Sequence, residues 1–224
     1  MLKNKTIKLG CILGMCCMLL FLSGCVGYHD LIPQEFPQHK HRASFWQEAQ
    51  ELAQQNLKFV RIYDEFTTIA LFDFLRCSDE IAVASANIKC DREGVTPKVR
   101  QKILMQALAN NQEDFKFLLQ ADVRNNVQQD LDKKNSPWTF CLVTQDGQKI
   151  KPTRIDRIKH TDITKQMFGK SYSHFKQLYQ LVFPLSGDEL TQAKNRRSAV
   201  KIICRSSQQK CIATWPAEAG WRPD

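Results

Sequence analysis

Apolar residues recur at regular spacings through the chain, and these spacings predict helices and strands in turn. Ser44 and Gln47 form a capping-box pattern that is followed by apolar residues at helical spacing, which predicts a helix that ends by Asn56. The next segment, 57–75, is dense in β-branched and aromatic residues. It therefore predicts one or two strands, with a turn near Asp64.

Two helix starts follow this strand segment. Ser78 is a favourable N-cap residue, and the two acidic residues after it favour the positive end of a helix. Thr96 is followed by Pro97, and proline fits the first position of a helix. The pattern therefore predicts a helical insertion near 78–111.

The second half of the chain mostly shows the pattern that is typical of strands. Asp146 and Gly147 form the best hairpin turn in the chain, and Pro152 predicts an edge or bent strand within 148–159. Segment 178–183 matches both a strand and a helix. The other predicted strands are 115–119, 138–144, 199–205 and 210–215.

The order of these elements predicts the fold class. Helices crowd the first half and strands the second, which argues against alternating βαβ units. We predict a single α+β domain over 44–215, mainly an antiparallel β-sandwich with an N-terminal helix and the helical insertion. An immunoglobulin-like arrangement fits at the level of fold class, and residues 216–224 are expected to form a C-terminal tail.

The N-terminus has the pattern of an export signal. Three lysines and no acidic residue precede an uncharged run that extends from Leu9 to Leu22, as in a secretory signal peptide. The sequence Leu22-Ser23-Gly24-Cys25 at its end resembles the lipobox of bacterial lipoproteins. This resemblance implies a thioether-linked lipid on Cys25, cleavage just before that residue, and acylation of the new N-terminus.

The predicted signal peptide, residues 1–24, also bears on localisation. Val26 stands where an aspartate would favour retention in the inner membrane, so the resemblance implies anchoring to the outer membrane. The rival interpretation is an uncleaved anchor, because uncharged residues continue to Tyr28. The lysines precede the apolar run, so both interpretations place the body of the protein outside the cytoplasm.

Residues 25–43 are predicted to be a flexible tether. They contain Pro33 and Pro37 and show no apolar periodicity, so they lack the surface needed to form a core. His39 and His41 suggest a metal site, but a metal ion generally requires three or four ligands. We therefore predict neither a metal ion nor another cofactor.

Charge adds a candidate binding surface. The full chain has 32 basic and 23 acidic residues, a net charge of +9, and loss of three lysines with the signal peptide leaves +6. The basic residues suggest binding of an envelope protein, an anionic glycolipid or an anionic polymer. Nucleic acid is not favoured, because basic residues are not clearly interleaved with aromatic ones. The candidate residues are Lys149, Lys151, Arg154, Arg157, Lys159, Arg196 and Arg197.

The alternative interpretation of this basic run is a solvated sheet face that binds nothing. In that case Ile150, Ile155 and Ile158 lie inward and the charged residues only keep the surface soluble.

Two cysteines are candidates for a disulfide. A four-residue loop at 206–209 places Cys204 opposite Cys211, at a separation that a bridge can span after modest adjustment. The alternative is a pair of buried free thiols. Cys77 and Cys90 cannot bond across an intact helix, since it would separate them by about 20 Å.

No sequence motif commits the chain to a reaction. A hydrolytic site could be assembled from His160 with Asp162, or from His174 with a nearby serine. We therefore predict a non-catalytic binding or structural module anchored in the cell envelope. The alternative is a membrane-tethered hydrolase that uses His160 or His174.

Overall fold

The computed structural model describes residues 37–65, 67–124 and 130–217, with side chains from Trp46 onward. Contacts divide the chain into two units, residues 1–41 and 42–224. The fold below is that of the second unit. The predicted signal peptide, Cys25, most of the predicted tether and the end of the tail lie outside the described residues.

The described residues form five α-helices, one short 3-10 helix and nine strands. No helix among them is long and apolar enough to cross a membrane. The helices are α1 (Pro37–Asn56), α2 (Asp79–Glu93), α3 (Pro97–Gln112), α4 (Asp162–Phe168) and α5 (Gly187–Lys194), with the 3-10 helix at Gly169–Ser171. The strands are β1 (Leu57–Asp64), β2 (Thr67–Arg76), β3 (Phe115–Val123), β4 (Thr139–Val143), β5 (Lys149–Ile150), β6 (Arg154–Arg157), β7 (Gln177–Phe183), β8 (Val200–Arg205) and β9 (Lys210–Trp215).

The strands form two antiparallel sheets. The five-stranded sheet has the order β1-β2-β3-β7-β6, and the four-stranded sheet has the order β5-β4-β8-β9. The helical pair α2 and α3 is inserted between β2 and β3, which are neighbours in the larger sheet. The structure therefore confirms an α+β fold with antiparallel sheets and a helical insertion.

Aromatic residues from both sheets share one core. The ring of Phe72 on β2 lies 5.0 Å from that of Trp138, next to β4, and 5.8 Å from that of Phe140. Phe117 on β3 lies 5.0 Å from Trp215 on β9. Because side chains alternate across a strand, these residues occupy one face of each sheet and leave the other face for different partners.

Helices cover part of the outer face of the larger sheet. Leu57, Leu75 and Leu178 project from this face and pack against α1, α2 and α4, forming a second core. Segment 177–183 is therefore buried on both faces, which explains why its nearly continuous apolar sequence matched a helix as well as a strand.

Several sequence predictions are confirmed locally. The first helix ends at Asn56, the first hairpin turns after Asp64, and β8 pairs with β9 in the predicted register. Gly147 has a positive φ of 86° in the turn between β4 and β5, a conformation that glycine adopts without strain.

Three parts of the fold differ from the predictions. Helix α1 begins at Pro37, so Ser44 lies inside it and the predicted tether overlaps the helix over 37–43. The segment after Gly147 is two short strands in different sheets, with Pro152 between them. Helices α4 and α5 were not predicted, because each is only two turns long and provides little apolar periodicity.

Replacing Ser78 with alanine is expected to lower the free energy of unfolding by about 1 kcal/mol. Ser78 is buried, and its hydroxyl accepts a hydrogen bond of 3.3 Å from the backbone N–H of Ile81 at the start of α2. Thr96→Ala is the matched control, since Thr96 makes no side-chain cap bond at the start of α3. Urea unfolding of both variants measures the difference, and equal losses would contradict a specific role for the Ser78 hydroxyl.

Candidate functional site

The segment between β6 and β7 carries the main candidate site. The backbone N–H of Ile158 donates to the carbonyl of Leu178 at 2.9 Å, and the chain then leaves the sheet to form α4 and the 3-10 helix. Thr161 caps α4 by accepting a 3.1 Å bond from the backbone N–H of Thr164. His160 therefore lies just before a well-defined helix start.

The returning part of this segment brings two aromatic side chains to His160. The Tyr172 hydroxyl oxygen lies 3.1 Å from Nδ1 of His160 and 3.1 Å from Nδ1 of His174. The centroids of the two imidazole rings are 6.0 Å apart. We call these three residues the His–Tyr–His cluster. His160 and Tyr172 are half-buried, and His174 is exposed.

The hydroxyl of Tyr172 has a single hydrogen and cannot donate to both imidazoles. At least one imidazole must therefore carry a hydrogen on Nδ1 and donate it to the phenol oxygen. Two imidazole nitrogens and one phenol oxygen thus converge at the surface and share hydrogen bonds.

A buried ion pair holds the loop that carries Tyr172 and His174. Asp73 on β2 is fully buried, and its carboxylate pairs with the ammonium group of Lys176 and, at 2.6 Å, with the guanidinium of Arg61. The Lys176 ammonium also donates to the carbonyl of Ser171 at 3.4 Å. The loop is therefore attached to the centre of the sheet through one carboxylate.

Glycine allows the same loop to pass close to α1. Gly169 has a φ of 52°, and a Cβ atom added there would clash with the side-chain amide of Gln50. The Tyr172 side chain packs against the second core.

The residues predicted for a hydrolytic site are only partly brought together. His160 and His174 meet through Tyr172, but the Asp162 carboxylate pairs with Arg92 at 2.6 Å. The Ser171 hydroxyl donates to the carbonyl of Phe168 at 2.7 Å. The Ser173 hydroxyl accepts a 3.3 Å hydrogen bond from the backbone N–H of Phe175. Tyr172 was not predicted, although it lies two residues before His174.

The basic residues of segment 149–159 form a second candidate site. Lys149, Lys151, Arg154, Arg157 and Lys159 are all exposed along β5, β6 and their connections, where the chain crosses from one sheet to the other. We call these five residues the basic edge. Their segment contains one acidic residue, Asp156, and so carries a net charge of +4.

The recorded ion pairs of the basic edge are long and at the surface. Arg154 Nε lies 3.4 Å from Asp156, and Arg157 lies 3.7 Å from Asp130. Pairs of this kind contribute about 0–1 kcal/mol, so they leave the cations able to exchange partners. Ile150 and Ile155 pack against the core between the sheets, and Ile158 packs against the second core.

The other two predicted binding residues, Arg196 and Arg197, differ in burial. Arg196 is half-buried and contacts Gln55 on α1 and Glu80 on α2, both at 3.4 Å. Arg197 is exposed, and its backbone N–H donates to Gln192 on α5.

Cys204 and Cys211 lie directly opposite each other on β8 and β9, as predicted. Both thiols are free in the structure, and the Cys211 Sγ donates to the Cys204 carbonyl at 3.6 Å. Burial raises the pKa of the Cys204 thiol, which keeps it protonated. The predicted disulfide therefore has the right register and stays a prediction.

Two buried cations near the end of β2 were not predicted. Arg76 is almost fully buried, donates to the carbonyl of Ala193, and has its pKa lowered to about 10, mainly by burial and then by Arg196. Burial likewise lowers the pKa of Lys194. Neighbouring Cys77 has its pKa raised to about 12 by burial, so its thiol is an unreactive nucleophile at neutral pH.

Comparison with known proteins identifies no family. No protein-family model and no curated protein matches the chain. A crystal structure of a protein of unknown function from Burkholderia pseudomallei is similar at 13% sequence identity and a TM-score of 0.44. The match covers 79% of this chain and 86% of that protein.

Proposed function

We propose that this protein is a cell-envelope lipoprotein, held to the outer membrane by lipid on Cys25, whose body binds an anionic envelope component through the basic edge. The body acts by binding and performs no reaction. We further propose that its two sheets form a β-sandwich, for which an immunoglobulin-like arrangement stays a prediction. The lipobox resemblance supports the anchor, and the basic edge supports the binding surface.

The observation that carries the binding proposal is the exposure of all five cations of the short segment 149–159. They lie on β5, on β6 and on the connections next to these strands, which follow one another in the chain, so a polyanion can contact several of them at once. Their ion pairs with Asp130 and Asp156 are weak, so displacing those carboxylates costs little. A multivalent anion is therefore favoured over a single small one.

Reversing three of these charges is expected to weaken binding of inorganic polyphosphate about 10-fold or more. The variant combines Lys149→Glu, Lys151→Glu and Arg154→Glu. Each lost exposed ion pair is worth about 0.2–1 kcal/mol, and each new carboxylate adds repulsion. Calorimetric titration of the detergent-solubilised full chain measures the affinity. Polyphosphate is soluble, so insertion of the lipid anchor does not contribute to the signal.

The matched control reverses three exposed lysines elsewhere, Lys98, Lys102 and Lys201, to glutamate. It changes the net charge by the same amount and leaves the basic edge intact. We expect the control to retain most of the affinity. Equal losses in the two triple variants would show that binding follows net charge, which would contradict a role for the basic edge.

A further inference from the structure

We propose that the His–Tyr–His cluster is a binding site for one divalent transition-metal ion, with Cu(II) as the preferred ion. The ligands are Nδ1 of His160, Nδ1 of His174 and the phenolate oxygen of Tyr172. Solvent completes the coordination on the exposed side of His174. This site is independent of the basic edge and of the proposed binding function.

The atom spacing fits a metal ion as well as a hydrogen-bonded network. Imidazole and oxygen ligands lie about 2.0–2.1 Å from a metal ion, so two ligand atoms are about 2.9 Å apart at a right angle and about 3.4 Å apart at a tetrahedral angle. The phenol oxygen is 3.1 Å from each imidazole nitrogen, between these two values. Both oxygen–nitrogen separations are therefore compatible with one metal ion that is bound by all three side chains.

The ligand types favour copper. Imidazole nitrogen suits zinc, copper and nickel, and a mixed nitrogen and oxygen donor set in tetragonal geometry is typical of Cu(II) and Ni(II). Cu(II) binds most tightly in the general order of divalent first-row ions. Among the described residues no group of three His, Cys, Asp or Glu side chains can hold a metal ion, and this cluster differs because its third ligand is a tyrosine.

The surrounding structure holds the ligands in place before a metal ion binds. The capped start of α4 positions His160, and the Lys176–Asp73 ion pair positions the loop that carries the other two ligands. Tyr172 packs against the second core. Because these contacts are already made, little conformational entropy is lost on binding.

Metal binding exchanges protons for the ion. The Tyr172 hydroxyl loses its proton to solvent, and its oxygen bonds to the metal ion. An imidazole that carries its hydrogen on Nδ1 changes tautomer by proton exchange with solvent, so that each imidazole has its hydrogen on Nε2 and presents the lone pair of Nδ1. No electron is transferred. The metal–phenolate bond produces a charge-transfer absorption that a histidine-only site lacks, and this absorption is the diagnostic signal.

The test is a titration of the full chain with Cu(II), followed by visible absorption and electron paramagnetic resonance. The chain has five histidines, and His29, His39 and His41 lie near the N-terminus, where they can bind copper by themselves. These three are therefore replaced by glutamine in every sample. We expect one equivalent of Cu(II) to bind with a phenolate band and with the hyperfine pattern of two nitrogen ligands.

Three single variants then assign the ligands. Removing a residue that only hydrogen-bonds to a metal ligand typically weakens metal binding about 10–100-fold. His160→Gln and His174→Gln each remove a ligand itself, so we expect the affinity for Cu(II) to fall about 100-fold or more. Tyr172→Phe should abolish the phenolate band and retain the two-nitrogen pattern. Its unfolding transition shows whether the fold survives, and Tyr63→Phe, an exposed tyrosine on β1, is the control that should change nothing.

Two results would overturn the proposal. One is binding that is unchanged in both histidine variants. The other is a copper spectrum of the parent chain that has no phenolate band. A spectrum dominated by an intense thiolate band that persists in all three variants counts as this second result. Either result would leave the His–Tyr–His cluster as a hydrogen-bonded surface network only.

Discussion

Replacing Asp73 with asparagine is expected to lower the free energy of unfolding by about 3–5 kcal/mol, because it leaves a buried cation without its partner. The Asp73 carboxylate is fully buried, and the side chain of Lys176 is only 11% exposed. Because the Lys176 side chain is mostly buried, full hydration of its ammonium group requires the residues around it to move. Arg61, which is 32% exposed, is able to turn toward solvent and contributes less to the loss.

Urea or thermal unfolding measures this change. Asp156→Asn is the matched control, since the Asp156 carboxylate pairs with Arg154 at the surface and is 46% exposed. We expect Asp156→Asn to lower the free energy of unfolding by less than about 1 kcal/mol. Adding Lys176→Met to Asp73→Asn should recover part of the stability, because the unpaired charge is then gone. A loss at Asp73 no larger than at Asp156 would contradict the anchoring role of this ion pair.

The protein extracted from its native membrane is expected to lack residues 1–24 and to carry added diacylglyceryl and acyl mass on Cys25. This prediction has the largest effect on localisation, since a covalent lipid determines whether the body is attached to the membrane at all. Intact-mass measurement tests it directly. In Cys25→Ser the lipid mass should disappear completely. A full-length chain without lipid would contradict the lipobox interpretation and favour the uncleaved anchor.

The same measurement, made with free thiols blocked and without reduction, also tests the predicted disulfide. The folded body has five cysteines: Cys77, Cys90, Cys141, Cys204 and Cys211. If Cys204 and Cys211 form a bridge, neither of them reacts with the blocking reagent. If both are free thiols, both react once the protein is unfolded. Cys204→Ser should release Cys211 for blocking if the bridge exists. If Cys211 is blocked to the same extent in the parent chain and in Cys204→Ser, the disulfide is contradicted.

Much of the fold was predictable because its signals are local. The cap at Ser78, the proline at the start of α3 and the turn at Gly147 each act within a few residues of chain. The register of β8 and β9 followed from the length of their loop. The start of α1 at Pro37 was missed, because polar residues and histidines there gave no apolar stripe.

The candidate sites were predictable to different degrees. The basic edge is a run of charges close together in the chain, so its exposure followed from the inward positions of the isoleucines. The surroundings of Arg196 could not be predicted, because its contacts Gln55 and Glu80 lie 141 and 116 residues earlier in the chain.

The sequence by itself therefore determined most of the local elements and the fold class, since both depend on patterns among residues that are close in the chain. The export signal stays a prediction. Only the tertiary structure decided that His160 and His174 share the hydroxyl of Tyr172. That meeting requires the loop to be attached at Asp73, which is 103 residues from Lys176. Contacts over such a separation are set by packing of the whole sheet, and no local pattern records them.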